Sequence, residues 1–68
     1  MTYVELNDKY NSIIDTRGIR SMYTTTTSID CCYLKIGYNN KDYYSYEYED
    51  LLYLCRDVTE IKRKLGFL

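Results

Sequence analysis

The clearest periodicity lies at the C-terminal end of the chain. Leu51, Leu54, Cys55, Val58, Ile61 and Leu65 recur every three or four positions, the spacing that gathers side chains on one face of an α-helix. Acidic Glu47, Glu49 and Asp50 precede this stripe and basic Lys62, Arg63 and Lys64 end it, so each sign meets the helix pole it favours. Gly66 follows as a natural left-handed stop. Glu60 and Lys64 form an i,i+4 pair on the exposed side. Asp57-Val58-Thr59-Glu60 also fits a capping box, so the pattern allows a break near Asp57.

Upstream the period changes to two. Cys32, Leu34, Ile36 and Tyr38 alternate along one segment and Tyr44, Tyr46 and Tyr48 along the next, which predicts a β-hairpin. Register decides which sets share a face. A connection of two or four residues sets Leu34 and Ile36 beside Ser45 and Tyr43. The three-residue loop Asn39-Asn40-Lys41 sets Ile36 opposite Tyr44 and Leu34 opposite Tyr46, and only this odd count assembles one apolar face. Asn also tolerates the left-handed conformation such loops need. The opposite face then carries Tyr33, Lys35, Gly37, Tyr43, Ser45 and Glu47.

Ile19 to Thr27, rich in β-branched threonine, reads as an earlier strand with Ile19, Tyr23 and Thr25 on one side. Ser28-Ile29-Asp30 turns it into the next. Residues 3–14 admit two readings. Tyr3, Leu6, Tyr10, Ile13 and Ile14 fit a helix stripe with Thr2-Tyr3-Val4-Glu5 as capping box, but Asn7, Asp8, Asn11 and Ser12 are poor helix formers. The alternative is a second hairpin: Val4 and Leu6, a turn at Asn7-Asp8-Lys9, then Tyr10, Ser12 and Ile14. The hairpin is preferred. The expected fold is α+β: a small antiparallel sheet of four to five short strands, covered on one face by a C-terminal amphipathic helix.

Length then limits the picture. Sixty-eight residues make one domain, residues 1–68, with a thin stability margin. Apolar residues at 46% and charged residues at 28% argue against disorder. Nothing approaches the roughly 20 consecutive apolar residues of a membrane helix, and the N-terminus shows no signal-peptide pattern. Three cysteines, two of them adjacent at Cys31-Cys32, make a poor disulfide framework. A cytoplasmic location with reduced thiols is expected.

Candidate chemistry is sparse. The chain has no histidine, which removes the commonest general base and nitrogen ligand and any Cys–His nucleophile pair. Three cysteines without a Cys-x-x-Cys knuckle do not match a zinc site. The acidic cluster 47–50 is explained by the helix start, and Asp57 and Glu60 by a solvated helix face. Cys55 on the apolar stripe reads as a small hydrophobe. The glycines are isolated and form no phosphate loop. Catalysis, a metal and a cofactor are therefore not expected.

The unusual feature is tyrosine, with ten Tyr against one Phe and no Trp. Most such rings pave their own sheet, yet Tyr is also enriched at recognition surfaces. The sequence thus points to a non-catalytic protein-binding module whose partner-binding residues are Tyr33, Lys35, Tyr43, Ser45 and Glu47. An exposed edge strand offers a second mode, by strand addition. The alternative is a nucleotide or single-stranded nucleic-acid binder that stacks bases on sheet tyrosines, with Lys35, Arg17 and Arg20 for phosphates. A formal net charge of −1 and an isoelectric point near 5.2 count against a polyanion. Self-association as a dimer is compatible with either.

The Asn/Tyr/Lys/Ile-rich composition and stretches such as Tyr33-Leu34-Lys35-Ile36-Gly37-Tyr38-Asn39-Asn40 resemble small proteins of phages that infect low-GC bacteria. The resemblance implies an anti-defence inhibitor, for example of the anti-CRISPR kind, acting on a host factor by direct binding. It covers the style of the whole chain and contains no motif, so no functional residue is carried over. Ten acidic against nine basic residues make DNA mimicry a poor fit.

Overall fold

The structure is a computed structural model that describes residues 2–38 and 43–66. The elements run β1 (Tyr3–Glu5), β2 (Ile13–Asp15), β3 (Ile19–Ser28), β4 (Cys31–Tyr38), β5 (Tyr43–Tyr48) and α1 (Leu51–Leu65). This is the expected α+β arrangement, with one difference in how the strands are divided. β3, β4 and β5 form an antiparallel sheet in that order, while β1 and β2 pair, among the described residues, with each other alone.

The β4–β5 register is the one that apolar alternation demands. Leu34 faces Tyr46, Ile36 faces Tyr44 and Cys32 faces Tyr48. The loop Asn39-Asn40-Lys41 lies outside the described residues. Leu34, Ile36, Cys32 and Tyr48 are fully buried beneath α1. Burying a side chain of this size contributes about 1.5–3 kcal/mol, so this patch anchors the fold. Tyr44, at the far end of the same face, stays exposed. Its ring meets Tyr38 edge-on, with centroids 5.7 Å apart.

Helix α1 is built from Asp50 to Gly66. The Asp50 carboxylate accepts from the Leu52 N–H at 2.9 Å, and Gly66 takes a left-handed φ of 91° that lets its N–H bond back to the last turn. Only Asp50 of the acidic cluster serves the helix start; the first turn itself carries no acid. Leu54 and Ile61 are buried, with Leu51, Val58 and Leu65 packed around them.

Three expectations for this helix are corrected. No break occurs at Asp57, because its carboxylate is taken up by Tyr48 and Asn7 instead of capping a new helix, and the helix runs on through Thr59, whose hydroxyl donates to the Cys55 carbonyl at 3.0 Å. Cys55 is exposed, since the stripe's centre runs through Leu54 and Ile61 and leaves it at the margin. Glu60 pairs with Arg63 one turn on, and this guanidinium holds its carboxyl below the usual range.

The largest correction is Asp57 itself. It is 4% exposed and faces the core. Its carboxylate accepts from the Tyr48 hydroxyl at 2.6 Å, the Asn7 backbone N–H at 2.6 Å and the Asn7 side-chain amide at 2.9 Å. A buried carboxylate is tolerated only when hydrogen-bonded in this way. Burial, and then the bond to Asp57, pushes the Tyr48 hydroxyl pKa well above 10.

Residues 3–15 form the hairpin, with Val4 opposite Ile14 and the Leu6 N–H bonded to the Ser12 carbonyl at 2.7 Å. The turn is longer than Asn7-Asp8-Lys9, so Leu6 meets Ser12 and not Tyr10. The cause is Asp8, which accepts from both the Ser12 N–H and the Ser12 hydroxyl, at 2.7 and 2.8 Å. Asn11 completes the loop with a positive φ of 53°. Val4, Leu6 and Ile14 join the same core as the sheet and helix. The Lys9 N–H bonds the Glu47 carbonyl at 2.8 Å, which ties the loop to the outer edge of β5.

β3 carries a register shift between Ile19 and Ser21 and another between Thr26 and Ser28. The first moves Ile19, paired with Tyr38, to the core side, while Tyr23 and Thr25 remain on the other face. The expectation that all three share a side fails because a bulge inverts the alternation.

Candidate functional site

Helix and hairpin cover one face of the three-stranded sheet. The other face is left open, and the register arranges it as three rows. Thr25, Tyr33 and Glu47 align across the strands, then Tyr23, Lys35 and Ser45, then Ser21, Gly37 and Tyr43. All five residues nominated from the sequence are therefore on one surface. Tyr43 and Ser45 are exposed; Tyr33, Lys35 and Glu47 are half-buried by their neighbours.

Gly37 organises one corner of this face. A Cβ there would lie 2.8 Å from Ser21 Oγ and 2.9 Å from a ring carbon of Tyr43. With only a hydrogen in that place, the Tyr43 ring folds across β4 towards β3. The Tyr43 hydroxyl oxygen accepts a hydrogen bond from the Ser21 hydroxyl at 2.9 Å, and the ring meets the Tyr23 ring edge-on, with centroids 5.1 Å apart at 78°. Such a pair is worth about 0.5–1.5 kcal/mol beyond area burial. Both rings still present about half their surface, 50% for Tyr43 and 47% for Tyr23.

The second corner is polar. Lys35 Nζ stands 5.7 Å from the centroid of the Tyr33 ring, a cation–π contact. The Cys31 thiol approaches the Tyr33 hydroxyl at 3.9 Å, and with Glu47 nearby the tyrosine pKa is raised. Glu47 also meets Lys9 at 3.8 Å, so it belongs to this face and not to the helix start. Lys35 thus brings one ammonium to a surface that already holds a carboxylate. That mixture suits a polar protein epitope better than a run of phosphates.

Sequence reasoning missed Ser21 and Tyr23, which complete the aromatic corner from β3. The signal was the short turn at Ile29-Asp30, which fixes β3 against β4. Reading it needed the bulges, and these leave no mark in the alternation. Among the described residues, no group of three or more Cys, Asp or Glu side chains is placed to hold a metal ion, and no helix is long and apolar enough to cross a membrane. Comparison of the chain with known protein families, with curated proteins and with solved structures returns no match.

Proposed function

We propose that this chain is a non-catalytic protein-binding module that meets its partner with the open sheet face around Tyr33, Lys35, Tyr43, Ser45 and Glu47, extended by Ser21 and Tyr23. The observation that carries the reading is the fixed position of Tyr43 over Gly37, tied to Ser21 and braced by Tyr23. A ring held in place before contact loses little rotamer freedom on binding, and aromatic anchors of this kind dominate interface energetics. The compositional resemblance to small phage proteins suggests a host enzyme or defence protein as the partner class.

The test is parallel capture from host lysate on immobilised wild type and on the double variant Tyr33→Ala/Tyr43→Ala, followed by titration of whatever is retained. Tyr43 is exposed and the half-buried Tyr33 lies on the open face outside the core, so the variant is expected to keep its circular dichroism. Its affinity is expected to fall by about a hundredfold, the loss typical of a buried interface anchor. A partner that binds both proteins equally well would place recognition elsewhere. A melting temperature raised by mononucleotides, with no protein captured, would point instead to base stacking on the same rings.

A further inference from the structure

Strand β3 has β4 on one side and, among the described residues, no strand on the other. Its residues are exposed almost throughout, with only Ile19 and Met22 half-buried. Natural edge strands are usually blunted with charge or proline. From Ser21 to Ser28 this edge has neither: it reads Ser-Met-Tyr-Thr-Thr-Thr-Thr-Ser. On its helix side α1 stops short of covering the strand. A shallow groove of about 250 Å³ remains there, lined by Thr24, Leu51, Leu54, Cys55, Val58 and Thr59.

We propose that β3 pairs antiparallel with β3 of a second copy, about a two-fold axis through Thr24, to give one continuous six-stranded sheet. Three features specify this occupant. First, the two register shifts confine regular pairing geometry to Ser21–Thr26, and an antiparallel pair opposes residues of equal parity only. Centring on Thr24 keeps Met22 to Thr26 inside that stretch in both copies. Tyr23 then lies opposite Thr25 and Met22 opposite Thr26, with Thr24 facing itself. Aromatic–β-branched and Thr–Thr pairs are favourable across strands.

Second, charge is self-complementary. The stretch is neutral, Arg20 flanks one end and Asp30 the other. Antiparallel pairing brings Arg20 of each copy to the Ser28–Asp30 turn of its mate. Among the described residues neither Arg20 nor Asp30 takes part in an ion pair, and both are exposed. Centring on Tyr23 instead would set Arg20 against Thr26 and lose this match.

Third, the axis is perpendicular to the sheet, so both helices stay on one side. The two grooves then open towards each other across Thr24, and the partly covered Leu51 and Val58 of each copy line one shared interior. The outer faces also become continuous, placing both Tyr23–Tyr43 pairs on a single surface. The proposal does not depend on that surface binding anything.

Sedimentation equilibrium of the purified chain at high micromolar concentration tests it. Wild type is expected to be a dimer. Thr24→Lys sets two ammonium groups opposite each other at the axis and is expected to give a monomer with unchanged circular dichroism. Arg20→Glu and Asp30→Arg are each expected to weaken the dimer by about tenfold or more, and the two together to restore it, as charge exchange across an interface does. The charge exchange decides the matter alone if Thr24→Lys fails to fold. A monomeric wild type, or a dimer indifferent to all of these changes, overturns the proposal.

Discussion

At the scale of single residues, Asp57 has the most consequential environment in the chain. Tyr48 and Asn7 both aim donors at it, so its removal strands the buried Tyr48 hydroxyl and frees the two Asn7 donors at the core's margin. Asp57→Ala is expected to cost about 2–4 kcal/mol, since stranded buried donors lose their full hydration without replacement. Tyr48→Phe deletes one donor, leaves the carboxylate two others and should cost only about 1 kcal/mol. Urea denaturation followed by circular dichroism ranks the two, and equal midpoints would contradict the assigned network. Nothing in the sequence marks Asp57 as internal. Its charge put it on the solvated face of the helix, although it stands three residues after Leu54 and four before Ile61, and one of the partners that make its burial tolerable lies 50 residues away. A pattern read along one segment assigns such a carboxylate to solvent by default.

At the scale of elements, local chemistry set both ends of α1 and the register of β4 with β5. These were legible because each depends on neighbours in sequence or on a parity rule: the acidic approach to the helix and Gly66 as its stop, Leu34 and Ile36 against Tyr46 and Tyr44; which acid caps the start, Asp50, was not. The N-terminal hairpin was legible in kind and not in register. Its turn is decided by a side chain, Asp8, folding back to Ser12, and by Lys9 docking on β5. Alternation alone cannot separate loops that differ by two residues, because both keep the same faces. The bulge in β3 was hidden for a related reason: one extra residue changes the parity of Ile19 without changing its apolar character. The nominated face at Tyr33, Lys35, Tyr43, Ser45 and Glu47 followed directly from the β4–β5 parity, whereas its β3 contribution did not. Asp8→Ala is expected to loosen this one unit, at a cost of about 1–2 kcal/mol. Amide exchange should accelerate at Lys9 and Ser12 while the interior of α1 stays protected; uniform acceleration would mean the loop is integral to global stability.

At the scale of the whole molecule, the buried Tyr48 and the half-buried Tyr38 and Tyr46 packed around the core make stability sensitive to high pH. Burial is the leading cause that raises the pKa of Tyr38 to about 12 from its ordinary 10, and it raises Tyr46 and Tyr48 as well. A folded-state pKa above the unfolded value means the folded state holds its proton longer. The associated stability is complete below about pH 10 and is lost progressively as pH rises through the folded values. The urea midpoint is expected to be level from about pH 7 to 9 and to fall steeply by about pH 11. Phenolate absorbance should then rise in step with unfolding for these rings, and a midpoint unchanged at the higher pH would refute their burial. The two rims of the three-stranded sheet differ in a way that matters for assembly. The Lys9 amide already occupies the Glu47 carbonyl on the β5 rim, while among the described residues no strand pairs along the β3 rim. Pairing through β3 uses up the long, uncharged border in both copies and leaves at the ends only the shorter β5 rims, each interrupted at Glu47, so the strand that would ordinarily invite fibrils is hidden at the centre of the assembly.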